Sequence, residues 1–231
     1  MLEALAEDPD THVILGYLEG IADGKRFIEV AQRVSKKKPI IITKSGSTAA
    51  GARAISSHTG TLAGSDNAYK AAFSQFGIIR SSSVEELFDL AMAFSYQEVP
   101  KGDNLVIITN AGGPGIIAAD AVEKSDVKLA ALTKETIDKL KQVLPPVAAL
   151  YNPVDIIGDA RDDRYRAAIE ILEKDPNVDS IMVILTPQSM TNATEIARAI
   201  AATNKTSSKP IFTSFMGGGL VEEGARILND N

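Results

Sequence analysis

The sequence contains no cysteine. That excludes disulfides, thiol redox chemistry and thiolate metal sites from the outset. Tryptophan is absent as well, and aromatic residues make up only 5 % of the chain. Aliphatic side chains and alanine must therefore fill the core, which suits buried parallel strands covered by Ala-rich helices. Histidine occurs twice, as His12 and His58. His12 stands alone at the start of a strand pattern, so the pair shows no metal-ligand spacing. No apolar run approaches the ~20 residues of a membrane span. The opening stretch, Met1 to Asp8, is acidic and helical in pattern, unlike a signal peptide. There is no basic stripe: the formal net charge is −6, and Lys36-Lys37-Lys38 sits at a helix end, where cations suit the dipole. A soluble, cytoplasmic protein with no nucleic-acid and no membrane partner is expected.

What is present is an alternation of two periods. Short β-branched runs recur at Val13-Ile14-Leu15, Ile40-Ile41-Ile42, Leu105 to Ile108, Ile181 to Leu185 and Pro210-Ile211-Phe212. They lack strict apolar–polar alternation, the mark of strands buried on both faces. Amphipathic stretches lie between them. From Asp163 to Lys174 the apolar residues Tyr165, Ala168, Ile169 and Leu172 share one helical face. Gly24 to Lys36 and Ser83 to Gln97 read the same way, and Ser83 with Glu86 forms a capping-box pattern. Such alternation predicts an α/β fold with a parallel sheet. A polar segment with Pro100 and Gly102 separates a long helix from a fresh strand. It divides the chain into residues 1–98 and 99–231, each read as a three-layer domain. The first domain has too few strands to be complete, and Val221 to Asn231 stops inside a helical pattern, so the chain reads as a piece of a longer one.

Two constellations carry chemistry. Lys44-Ser45-Gly46 opens a long loop of small residues that runs through Ser57-His58-Thr59-Gly60 to Ser65-Asp66. It follows a buried strand, at the edge where open α/β sheets bind ligands, and small residues let backbone amides approach an anion. His58 stands in its middle as a base or a nucleophile. A nucleophilic imidazole suits phosphoryl transfer because it is neutral near pH 7 with one free ring nitrogen. It then needs a carboxylate on the other nitrogen, and Glu19, at the carboxyl end of its strand, is the candidate. The second constellation is Asn110-Ala111-Gly112-Gly113-Pro114-Gly115, a strand-to-helix turn of the kind whose amides bind phosphate, or a tight turn needing positive φ. It is neither G-x-G-x-x-G nor a P-loop. Asn152-Pro153-Val154-Asp155 and Thr186-Pro187-Gln188 are loops of the same edge.

Together these motifs resemble the α part of ADP-forming acetyl-CoA synthetases, relatives of succinyl-CoA synthetase. The resemblance runs through Lys44-Ser45-Gly46, Gly51 to Ala54, Ser57 to Gly60, Ala63 to Asp66, Tyr17 to Gly20, Ile107 to Gly115 and Asn152 to Asp155, across the whole chain. It implies two flavodoxin-like domains, with His58 as the phosphohistidine and Glu19 as its supporting carboxylate. Gly60, Asn110, Ala111, Gly112, Gly113 and Gly115 become the phosphate-binding set. Lys44, Ser45, Gly46, Asn152, Asp155 and Gln188 become substrate-loop candidates, with no metal ligand. It also implies CoA, ADP or ATP and Mg2+ as substrates of the complete enzyme, acyl-CoA and phosphate among its ligands, and an oligomer. The partners implied are a CoA-binding domain and an ATP-grasp β part that holds nucleotide and Mg2+. A ligand-sensing module and an assembly scaffold of the same fold are the rival readings, as is a generic phosphate-binding protein.

Overall fold

The computed structural model describes residues 1–48, 50, 51, 53 and 65–231. The chain folds as two units, Met1–Tyr96 and Gln97–Asn231. In the first, α1 (Leu2–Glu7) precedes β1 (Ile14–Leu18), α2 (Gly24–Val34), β2 (Ile40–Lys44), α3 (Asp66–Gln75), β3 (Ile78–Ser81) and α4 (Val84–Tyr96). The strands form a parallel sheet in the order β1-β2-β3. Ile14, Ile40, Ile42 and Ile78 bury one face against Ala31 and Val34 of α2 and Phe73 of α3. Helix α4 packs across all three strands. Central β2 is buried along its whole length, as its unbroken apolar run requires. Among the described residues β1 has no partner on its outer edge.

Local chemistry fixes where the helices start. Asp23 accepts the amide hydrogen of Arg26 at 3.0 Å and caps α2, an interaction typically worth about 1 kcal/mol. At α4 the Ser83 hydroxyl accepts from the Glu86 amide at 3.0 Å, but the Glu86 carboxylate accepts from the Ser82 amide at 2.7 Å. The reciprocal arm of the expected capping box thus reaches one residue further back than its standard form.

The second unit contains β4 (Asn104–Thr109), α5 (Gly112–Glu123), β5 (Lys128–Leu129), α6 (Lys134–Val143), β6 (Val154–Asp155), α7 (Asp162–Leu172), β7 (Ser180–Leu185), α8 (Ala193–Asn204), β8 (Ile211–Phe215), a 3-10 turn at Gly218–Leu220 and α9 (Glu222–Asn229). Its sheet is parallel throughout, in the order β5-β4-β7-β8. Strand β6 lies on the same side of β4 as β5: β5 pairs with Asn104 and Leu105, β6 with Ile108 and Thr109. Helices cover both faces. Val106, Ile108, Ile181 and Val183 pack with Tyr165, Ile169 and Leu172 of α7, all fully buried, and with Ile196 and Ile200 of α8. Ile107 and Ile184 pack the other way, with Val122 of α5. The four α7 residues singled out by spacing are indeed its inward face.

Candidate functional site

In the first unit the carboxyl ends of β1 and β2 run level. Leu18 is the register partner of Lys44, so Glu19 and Ser45 leave the sheet side by side. The Ser45 amide donates to the Leu18 carbonyl at 3.0 Å, and its hydroxyl donates to the same oxygen at 3.2 Å. Gly46 then turns the chain at φ 71°, a left-handed conformation that costs other residues dearly. His58 and Gly60 lie outside the described residues. His12 is exposed, before β1.

Lys44 is only 5 % exposed. Its ammonium lies 4.8 Å from the centroid of the Tyr69 ring and donates to the Ser45 carbonyl. Burial pushes its pKa below the ordinary lysine value; Asp66 opposes that, Arg80 adds to it, and Glu19 opposes it. Tyr69, on α3, accepts the Ile21 amide hydrogen through its hydroxyl at 3.2 Å. It thereby ties the loop after Glu19 to the same helix. Asp66 opens α3 and is gripped by both terminal nitrogens of Arg80, which holds its carboxyl below the usual range.

In the second unit the loops after β4, β6 and β7 meet at one edge. Asn110 is 2 % exposed. Its amide nitrogen donates to the Thr186 carbonyl at 2.8 Å, and its oxygen accepts from the Thr186 amide at 2.9 Å and hydroxyl at 3.1 Å. The Asn110 side chain is therefore a clasp between loops. The Ala111 amide is also engaged, donating to the Thr109 hydroxyl at 3.1 Å. Gly112 and Gly113 open α5, whose N-cap, Ala111, offers no side-chain cap. As first-turn amides, these two have no partner within the helix. A side chain at Gly115 would come within 2.9 Å of the Thr109 methyl. Its absence lets helix approach strand.

The Asn152 side chain bridges backbone groups of the sheet. The Ile107 amide donates to its oxygen at 3.0 Å, and its nitrogen donates to the carbonyls of Leu105 at 2.8 Å and Ala130 at 3.2 Å. It fills the gap in the ladder where β5 ends and β6 has not begun, replacing strand hydrogen bonds that β4 needs. The Asp155 carboxylate accepts the Ile157 amide hydrogen at 2.9 Å, and its other oxygen lies beside Gly112. Ile157 has φ 69°, a strained conformation for a β-branched residue and one that clusters at functional sites. Gln188 packs beside Gly158.

Sequence reasoning missed Tyr69, Arg80 and Ile157, and it placed Thr109 and Thr186 in the motifs without a role. Nothing local marks Tyr69, Arg80 or Ile157. Among the described residues no three His, Asp or Glu side chains cluster as metal ligands, and no helix is long and apolar enough to cross a membrane.

Residues 1–94 match a succinyl-CoA ligase like flavodoxin domain, and residues 105–231 match a ligase-CoA domain. The chain is 46 % identical over 230 residues to the ADP-forming acetate–CoA ligase I of Archaeoglobus fulgidus, covering 100 % of this chain and 32 % of that protein. It is 44 % identical over 237 residues to the alpha subunit of the ADP-forming acetate–CoA ligase II of Pyrococcus furiosus, covering 100 % of this chain and 51 % of that one. A solved structure of a dinucleotide forming acetyl-coenzyme A synthetase 1 of Ca. Korarchaeum cryptofilum, in complex with phosphate and ADP, matches with a TM-score of 0.93. The identity is 40 %, over 99 % of this chain and 50 % of that one. The chain thus spans about half the length, or less, of the relatives it matches.

Proposed function

Because the chain belongs to the ligase-CoA family, with a succinyl-CoA ligase-like flavodoxin domain ahead of its ligase-CoA domain, we propose that it supplies the phosphohistidine centre of an ADP-forming acyl-CoA synthetase. The complete enzyme interconverts acyl-CoA, ADP and phosphate with acid, CoA and ATP. The observation that carries this reading is the level exit of Glu19 and Ser45 from paired strands. It starts the His58 loop beside the carboxylate that a phosphohistidine needs.

Phosphate attacks the thioester carbonyl; the CoA thiolate leaves and an acyl phosphate forms. A neutral ring nitrogen of His58 then attacks phosphorus, and the acid departs as its carboxylate. Glu19 holds the proton on the other ring nitrogen and offsets the cationic ring. The phosphoryl group passes to ADP, which regenerates the imidazole. The amides of Gly112 and Gly113, at the start of α5, form a phosphate-receiving turn of the second unit, where a helix dipole contributes about 0.3–2 kcal/mol. Nucleotide and Mg2+ belong to an ATP-grasp part, and CoA to a further domain. The edge of β1, unpaired among the described residues, and the exposed stripe Val84, Phe88, Met92 and Tyr96 on α4 support completion of the first unit by more polypeptide, since bare strand edges and large apolar patches are normally covered.

Reconstitution tests the reading. The chain is combined with its ATP-grasp and CoA-binding parts, and ATP formation from acyl-CoA, ADP and phosphate is followed. ATP made only when this chain is present supports the assignment. Equal ATP without it points to the sensing or scaffold role.

A further inference from the structure

We infer that Lys44 is an anion-receiving cation of the first unit, placed to bind a tetrahedral phosphate dianion at the carboxyl end of β2. The inference rests on the proposed function for the identity of the anion, but its geometry stands apart from His58.

An ammonium taken out of water is normally matched by a carboxylate. Lys44 is 5 % exposed, yet among the described residues it contacts a ring face and one carbonyl and forms no ion pair. Four groups act on it. Asp66 is engaged by both terminal nitrogens of Arg80. Arg80 repels it, Glu19 attracts it from the end of β1, and Tyr69 supplies only its π face. The Asp66–Arg80 pair is internally neutralised, and Glu19 attracts Lys44 without an ion pair, so among the described residues no carboxylate touches the buried ammonium. Its ammonium is disfavoured by burial in this state. An arriving dianion relieves that penalty, whereas a neutral ligand does not.

Position supports the same conclusion. The cation closes the central strand of a parallel sheet, at the edge where ligands of such sheets bind. Arg80 is paired with Asp66, which leaves the buried Lys44 ammonium able to answer new negative charge. Tyr69 holds the ammonium from below while accepting the Ile21 amide hydrogen, so the lysine is fixed against both strand ends before any ligand arrives. Such preorganisation is what makes a charge effective in binding.

The test uses the whole chain with lysine side chains labelled for NMR and inorganic phosphate as the probe. The Lys44 signal is identified by the ring-current shift that the Tyr69 face imposes. The expected result is a Lys44 midpoint below those of exposed lysines that moves upward as phosphate is added. Lys44→Met weakens phosphate binding at this site about tenfold or more, the loss of one charge-assisted hydrogen bond, and Lys44→Arg restores most of it. In the reconstituted enzyme Lys44→Met raises the phosphate KM and leaves the CoA KM unchanged, which a merely structural lysine does not do. A Lys44 signal indifferent to phosphate overturns the inference in the wild-type chain, whatever the variants do. Phosphate binding by Lys44→Met as tight as that of wild type overturns it equally. A chain whose Lys44 responds to phosphate but which never carries phosphate on His58 upholds the inference and counts against the proposed function alone.

Discussion

Leu18 and Lys44 face each other on the last rung of the β1–β2 ladder. Everything proposed for the first unit follows from that pairing. It sets Glu19 level with Ser45, so the carboxylate and the loop that leads to His58 start from one place, and it closes the central strand with a buried ammonium.

If Glu19 fixes the histidine's tautomer, Glu19→Gln slows phosphorylation without preventing it. The expected loss is about 10–100-fold, the usual effect of removing a carboxylate behind a reacting imidazole. Rapid-quench measurement of phosphoenzyme formation in the reconstituted enzyme reads it. Unchanged rates assign Glu19 to the surface.

The side chains of Asn152 and Asn110 both bridge backbone groups of separate segments. Asn152→Ala strands the buried Ile107 amide and two carbonyls, and is expected to cost about 2–3 kcal/mol in urea unfolding. The fraction that remains folded should keep normal phosphate affinity. A large affinity loss at full stability would return Asn152 to the binding site.

The glycines of the α5 turn separate in the same way. Gly115→Ala drives a methyl against Thr109, 2.9 Å away, and should destabilise by about 1–3 kcal/mol. Gly113 has nothing within 4 Å of the added carbon, so Gly113→Ala should change stability by no more than ~0.5 kcal/mol. It should nevertheless hinder phosphate at the helix start. Thermal unfolding and phosphate titration of the two variants check both halves.

Asp66 links stability to pH. Its folded pKa lies below the ordinary value because Arg80 hydrogen-bonds to its carboxylate. Its contribution is therefore fully present above the unfolded carboxylate pKa and fades as pH falls through the lower, folded one. Asp66→Asn should destabilise the chain at neutral pH, with the difference from wild type closing in that acid window. A difference that persists at lower pH means that the pair acts by packing.

Much of this architecture is legible from local pattern. The runs at Ile40 and Ile181 are strands because every residue in them is apolar, and the Tyr165–Leu172 spacing is a helix face. Strands β5 and β6 escape because they hold two residues each and exist only through pairing with β4. Strand β3 escapes because Arg80 and Ser81 break its apolar run. At the site, small-residue loops and Glu19 are visible in one dimension. The Asn152 patch, the Asn110–Thr186 clasp and the Lys44–Tyr69 contact are not, since each joins residues far apart in the chain. The resemblance of motifs points to the reaction, whereas the geometry adds the side chains that hold the loops together.

Mass mapping of the phosphoenzyme tests the central claim most directly. The chain is mixed with its ATP-grasp partner, ATP and magnesium, and the product is analysed intact and as peptides under alkaline conditions. The account predicts one acid-labile, base-stable phosphate, located on His58 and lost in His58→Asn. An unphosphorylated His58, in a mixture whose partner demonstrably binds this chain and is active, would contradict it.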